Sequence, residues 1–117
     1  MKKYVFNPMK NWYKNLEGRY FNFPADIQIL NLVSDLKKAD NLLTTQRTSA
    51  INHLYRAIIL VDYIVEDKKW RTKLKELLRL KEAIGSFIYY EQSLASLDQV
   101  VKAALLLEKS AYKKLKI

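Results

Sequence analysis

Apolar residues recur three and four positions apart along most of this chain, the spacing of helices with one buried face. Five helices follow from that pattern. A short one is predicted between Asn7-Pro8 and Gly18: Asn7 suits the N-cap, Pro8 the first helical position and Gly18 a left-handed stop. Phe23-Pro24 opens a second, over 25–43, with Ile27, Leu30, Val33, Leu36 and Leu43 as core and Asp26, Asn31, Asp35 and Lys38 on the wet side. The polar run Thr44 to Ser49 reads either as a turn or as a weak stretch within a longer helix, with Thr48 or Ser49 as the candidate cap of the next helix.

That third helix, over 49–66, is apolar on most sides. Ile51, Leu54, Ile58, Val61 and Val65 form its stripe, widened by Leu60 and Ile64, which predicts a central or interfacial position. Glu66-Asp67-Lys68 is the expected turn. The fourth helix is predicted over 69–84, stopping at Gly85, and the last over 89–115, with Leu94, Leu97, Val101, Ala104 and Leu105 as core and Leu106, Leu107, Ala111 and Leu115 widening it. Short links between long helices predict an all-α, antiparallel up-down four-helix bundle with a short extra N-terminal helix.

Composition agrees. With Gly 2 and Pro 2 in 117 residues, a turn-rich β or α/β fold is excluded, and the length suits one domain, 1–117. Residues 1–23 hold Tyr4, Phe6, Trp12, Tyr13, Tyr20, Phe21 and Phe23, rings expected to close one end of the bundle rather than to stack on bases. Cys is absent, which removes disulfides, thiolate nucleophiles and Cys-ligated zinc. The start lacks the apolar core of a signal peptide, and the longest apolar run, Ala57 to Val65, is interrupted by Asp62 and too short for a bilayer. A soluble, cytoplasmic protein is expected.

Charge changes the picture. The formal net charge is +9, and it is concentrated at the ends. Residues 25–67 carry four basic and six acidic residues, whereas residues 68–117 carry twelve basic and five acidic. Between Lys68 and Lys81 stand seven cations, Lys68, Lys69, Arg71, Lys73, Lys75, Arg79 and Lys81, against one acid, Glu76. At 100° per residue, Lys68, Arg71, Lys75 and Arg79 share one stripe opposite Trp70, Leu77 and Ile84. Their heads would follow one another at about 6 Å, comparable with phosphate spacing on a nucleic-acid strand. Lys81 falls within the apolar arc, where it snorkels or lines a wet groove. Lys113 and Lys114 add a basic tail, part of which complements the helix dipole.

A cation stripe has three readings: a nucleic-acid surface, a solvated face, or a contact for an acidic protein or membrane surface. Nucleic acid comes first, because a structural helix intersperses acids and here only Glu76 and Glu82 relieve the repulsion. No helix-turn-helix or base-reading motif stands out, so recognition by backbone or shape is expected. Catalysis is not: no phosphate loop, His-Glu-x-x-His or nucleophile elbow occurs. No Glu-x-x-His pair occurs either, and no cofactor is implied. His53, the single histidine, reads as a hydrogen-bonded core or interface residue.

The basic approach to Leu78-Arg79-Leu80, then Glu82 to Ile88, then Tyr90-Glu91-Gln92-Ser93-Leu94, resembles the second half of the accessory variability determinants of diversity-generating retroelements. These are small bundle proteins akin to the family once labelled ribosomal protein S23. Phe23-Pro24 after an aromatic stretch is similar too. The tail Glu108 to Lys114 departs from that family's Gly-Gly-Trp-like ending. The resemblance covers roughly residues 20–115. It implies a homo-oligomeric barrel, pentameric, with a reverse transcriptase and a structured template RNA as partners and no catalysis of its own. Of the family's contacts, the positions it carries over are Lys68, Arg71, Lys75 and Arg79. The alternative is a helical adaptor or small subunit of another ribonucleoprotein or mobile-element complex, using the third helix and the aromatic N-terminus.

Overall fold

The computed structural model describes residues 19–89 and 96–108. The expected 7–18 helix, the rings Tyr4, Phe6, Trp12 and Tyr13, and the tail with Lys113 and Lys114 lie outside them. A 3-10 turn, Tyr20–Asn22, leads into α1, Ala25–Leu42, followed by α2, Arg47–Glu66. A second 3-10 turn, Lys68–Lys73, runs into α3, Leu74–Tyr89, and α4 spans Leu97–Leu106. The protein is an all-α, antiparallel up-down four-helix bundle. α1 packs most extensively on α2, α2 on α3 and α1 on α4, and the fourth edge, α3 on α4, is the sparsest.

The ends of the helices explain the departures from the pattern. Pro24 is the N-cap of α1, with φ −59° and ψ 153°, and its carbonyl accepts from Gln28 N at 3.0 Å. A proline there loses no helical hydrogen bond. α2 starts at Arg47, so Thr48 and Ser49 lie inside its first turn and cap nothing. Gln46 stands at the N-cap without a side-chain bond, because the chain leaves α1 by winding on, with Gln46 N donating to Leu42 O at 2.7 Å. The stop expected at Gly85 does not occur: α3 runs through it to Tyr89, and a Cβ there would meet nothing within 4 Å. A glycine without a left-handed backbone is simply a weak helix former. The single helix expected over 89–115 is replaced, in its described part, by one that begins afresh after Ser96. Ser96 and Gln99 form a reciprocal capping box, Gln99 N donating to Ser96 Oγ at 3.2 Å and Ser96 N to Gln99 Oε1 at 2.9 Å. It ends with Leu107 N on Ala104 O at 3.1 Å.

The core is made of Ile29, Leu32, Val33 and Leu36 from α1, Leu54, Ile58, Val61 and Ile64 from α2, Leu77, Leu80 and Ile84 from α3, and Leu97, Val101, Ala104 and Leu105 from α4. The stripe expected for α1 is out of phase. Ile27, Leu30 and Leu43 are only half-buried, while Gln28 and Ile29 are fully covered. Asp35, expected on the wet side, is 3 % exposed, because His53 and Arg56 of α2 reach across to its carboxylate. The apolar surplus of α2 is spent in the core: Ile58, Leu60, Val61 and Ile64 are all buried. Leu106, expected to widen the buried face of α4, is 69 % exposed.

Candidate nucleic-acid interface

The basic segment hangs on one buried residue. Trp70, 3 % exposed, stands in the middle of the 3-10 turn, and its indole Nε1–H donates to Gln28 Oε1 at 2.6 Å. The Gln28 amide faces the other way as a donor, to Tyr20 O and to Asp67 Oδ2, each at 2.9 Å. Tyr20 closes the loop, its hydroxyl donating to Gln28 O at 2.6 Å. Its ring packs edge-on against Phe23 at 5.4 Å and tilted against Tyr63 at 6.0 Å. Tyr20 thus packs on Phe23 and, across to α2, on Tyr63, while Phe21 is exposed. Every polar group of Gln28's side chain has a partner, the condition for keeping an amide fully buried.

Asp67 is the hinge between α2 and the turn. Its backbone is extended, its N–H donates to Ile64 O at 3.0 Å, and its Oδ1 accepts from Lys69 N at 3.1 Å. Burial pushes its carboxyl up. Hydrogen bonds from the Lys69 ammonium, from Gln28 and from the Lys69 amide outweigh that burial, and with the ammonium's charge they hold the carboxyl below its ordinary value.

With the anchor fixed, the seven cations separate into four groups. Lys69 is committed inward: its ammonium donates to Asp67 Oδ2 at 2.6 Å, Phe21 O at 3.0 Å and Phe23 O at 3.2 Å. An ammonium has three donors, so none is left for a ligand, which corrects the reading of Lys69 as a contact. Lys81 pairs with Asp62 of α2 at 2.7 Å. Its head therefore leaves the apolar arc for a surface ion pair, and its charge is matched. Lys68, Arg71, Lys75 and Arg79 are exposed, and among the described residues none of them makes an ion pair. Lys73 is half-buried, also without an ion pair among the described residues, on the rim of a groove towards α4.

The continuous stripe is broken in two. Lys68 and Arg71 belong to a 3-10 turn, where three residues complete a turn and positions three apart eclipse. Lys75 and Arg79 lie one α-helical turn apart on α3. The even spacing of about 6 Å expected from one α-helix therefore does not run across the junction at Lys73-Leu74. Burial follows the expected pattern on the opposite side, where Trp70, Leu77 and Ile84 are covered. Two pairs of unmatched cations on a backbone pinned by Trp70 can hold phosphate groups. Arg71 and Arg79 offer a planar fork, Lys68 and Lys75 a point charge.

His53 lies apart from this surface, its Nδ1 3.1 Å from Asp35 Oδ1. It is hydrogen-bonded, as expected, and half-buried at the margin of the core. Among the described residues no cluster of His, Cys, Asp and Glu could hold a metal ion, and no helix is long and apolar enough to cross a membrane.

Two features escape the sequence pattern. Gln28 is a lone polar residue in an apolar run, and only its three partners, from three segments, reveal its role. The other is the groove of about 510 Å³ between α3 and α4, which the sparse packing of that edge opens. Compared with family models, with curated proteins and with solved structures, the chain gives no match.

Proposed function

We propose that this protein is a non-catalytic accessory protein that binds structured RNA, in preference to DNA, through Lys68, Arg71, Lys75 and Arg79. In this reading it serves a reverse transcriptase in a diversity-generating retroelement, as a cytoplasmic homo-oligomer of pentameric form. The observation that carries the RNA reading is the division of labour among seven neighbouring cations. Lys69 and Lys81 are matched by Asp67 and Asp62, whereas the four outward ones have no ion pair among the described residues. Unmatched cations on a rigid backbone are what a polyanion rewards, through release of its condensed counterions. RNA is favoured over DNA because the sequence shows no helix-turn-helix or base-reading motif, and shape and backbone recognition suits folded RNA. The retroelement role and the pentamer rest on the pattern-level resemblance over roughly residues 20–115.

The test is an electrophoretic shift of a structured RNA hairpin by the wild-type chain and by the Arg71→Gln/Lys75→Gln/Arg79→Gln variant. A shift lost in the variant supports the reading, and an equal shift with both contradicts it. Light scattering tests the assembly, and a stable monomer contradicts the pentamer.

A further inference from the structure

The groove between α3 and α4 is a second candidate surface, which shares Arg79 with the proposed RNA surface and is otherwise built from other residues. Its floor is apolar and low. Ala83 on α3 and Ala103 on α4 contribute only a methyl group each, and Leu106 stands at its edge as the most exposed of the large apolar side chains. Small residues let a further helix approach to the 8–10 Å interaxial distance of close packing. The rim is polar and net basic: Lys73 and Arg79 against Glu76, with no ion pair to either cation among the described residues.

Charge decides what fits. Of the chain's own segments outside the described residues, the two terminal ones carry the wrong sign, and 90–95, whose one charged residue is Glu91, is six residues joining α3 to α4. Residues 1–18 hold four lysines and one acid, and residues 109–117 hold four lysines and no acid. Both would meet like charge at Lys73 and Arg79. A second copy is +9 overall, and its net acidic stretch, 25–67, has its apolar stripes buried in the core rather than free to fill a groove. An occupant with leucines along one face and carboxylates along its flank satisfies floor and rim together, the helix-in-groove mode of recognition. We propose that the α3–α4 groove seats one amphipathic α-helix of a protein partner, apolar on the face it buries and acidic on the flank that meets Lys73 and Arg79.

The full chain is titrated against a fluorescein-labelled synthetic helix of about five turns, with leucines on one face and glutamates on the flanks. A counterpart carries lysines in place of the glutamates. Fluorescence anisotropy is expected to show saturable binding of the acidic helix, weakened at least roughly tenfold for its lysine counterpart. Ala103→Glu, which fills the trough and adds a repelling charge at an exposed position, is expected to weaken binding roughly tenfold, and Leu106→Ala several-fold. Circular dichroism of both variants verifies that they fold. The Arg71→Gln/Lys75→Gln variant, which leaves the groove intact, is expected to keep the acidic helix. No saturable binding overturns the proposal, as does equal binding of the two helices or indifference to Ala103→Glu. An RNA hairpin that displaces the helix and is itself weakened as much by Ala103→Glu also overturns it, since the groove would then be part of the RNA surface.

Discussion

The Trp70 indole N–H and the Gln28 side-chain oxygen lie 2.6 Å apart, joining the 3-10 turn to the first helix across 42 positions of sequence. Through that bond the outward cations of 68–79 acquire a fixed backbone. A cation presented from a rigid element loses less freedom on binding than one on a loose loop. The network around Gln28 therefore links bundle stability to the proposed RNA surface.

Replacing Gln28 tests that link. Gln28→Leu leaves the Trp70 indole N–H without its partner and takes one of two donors from the Tyr20 carbonyl and from Asp67 Oδ2, around a side chain that is fully covered. A cost of about 2–4 kcal/mol is expected, read as a lower urea midpoint. Trp70 fluorescence should change with it, relative to a variant with Trp12→Phe as background. A midpoint within about 0.5 kcal/mol of wild type would show that the network contributes little.

Acid should attack the same network through Asp67. Its carboxyl is held below its ordinary value in the folded chain, so the folded state binds that proton less readily than the unfolded state. The stability it contributes is complete above the unfolded value, about pH 4. It is lost as pH falls further, through the lower folded value. Asp67→Asn is expected to be less stable than wild type at neutral pH, with the difference shrinking below about pH 4. Urea midpoints at several pH values check this. A difference that persists unchanged in acid would mean that the Asp67 charge plays no part.

Gly85 offers a gain. It lies inside α3 with open space where a Cβ would stand. Gly85→Ala should raise stability by about 0.5–1 kcal/mol, through helix propensity and a less flexible unfolded chain. A rise in Tm by calorimetry is the expected result; a fall would mean that the space is occupied in the protein.

That glycine also shows where sequence reading stops. Apolar periodicity located α1, α2 and the buried side of α3, because burial of Trp70, Leu77 and Ile84 is a property of one helix's own spacing. Gly85 was ambiguous: a left-handed stop and a tolerated interior glycine look alike without backbone angles. Asp35 looked like surface, and Gln28 gave no signal, because their covering partners, His53, Asp67 and Trp70, come from elsewhere in the chain. The Ser96-x-x-Gln99 box was legible and overlooked in favour of a longer apolar stripe. For the basic surface, the residue types were legible, but the split into matched and unmatched cations was not. Lys69 and Lys81 differ from Lys68 and Arg79 only in having Asp67 and Asp62 within reach.

The split makes a prediction of its own. Lys69→Gln should destabilise the chain, since Asp67, Phe21 O and Phe23 O lose a shared donor, yet leave the salt dependence of RNA binding as it is. Lys81→Gln removes a half-exposed pair and should cost under about 1 kcal/mol, again without changing that dependence. Urea unfolding and binding isotherms on the same preparations check both. A salt dependence weakened as much by Lys69→Gln as by Arg71→Gln would contradict the assignment of Lys69 as structural.

The most direct measurement is fluorescence anisotropy of a labelled RNA hairpin, and of a matched DNA duplex, at several salt concentrations, with the wild-type chain and the Arg71→Gln/Lys75→Gln/Arg79→Gln variant. The account predicts tighter binding to RNA. It also predicts a logarithmic salt slope for the variant that is shallower by about 2–3, close to one per cation removed. An affinity that does not change with salt, or the same slope for wild type and variant, would contradict it and leave the four cations as a solvated face.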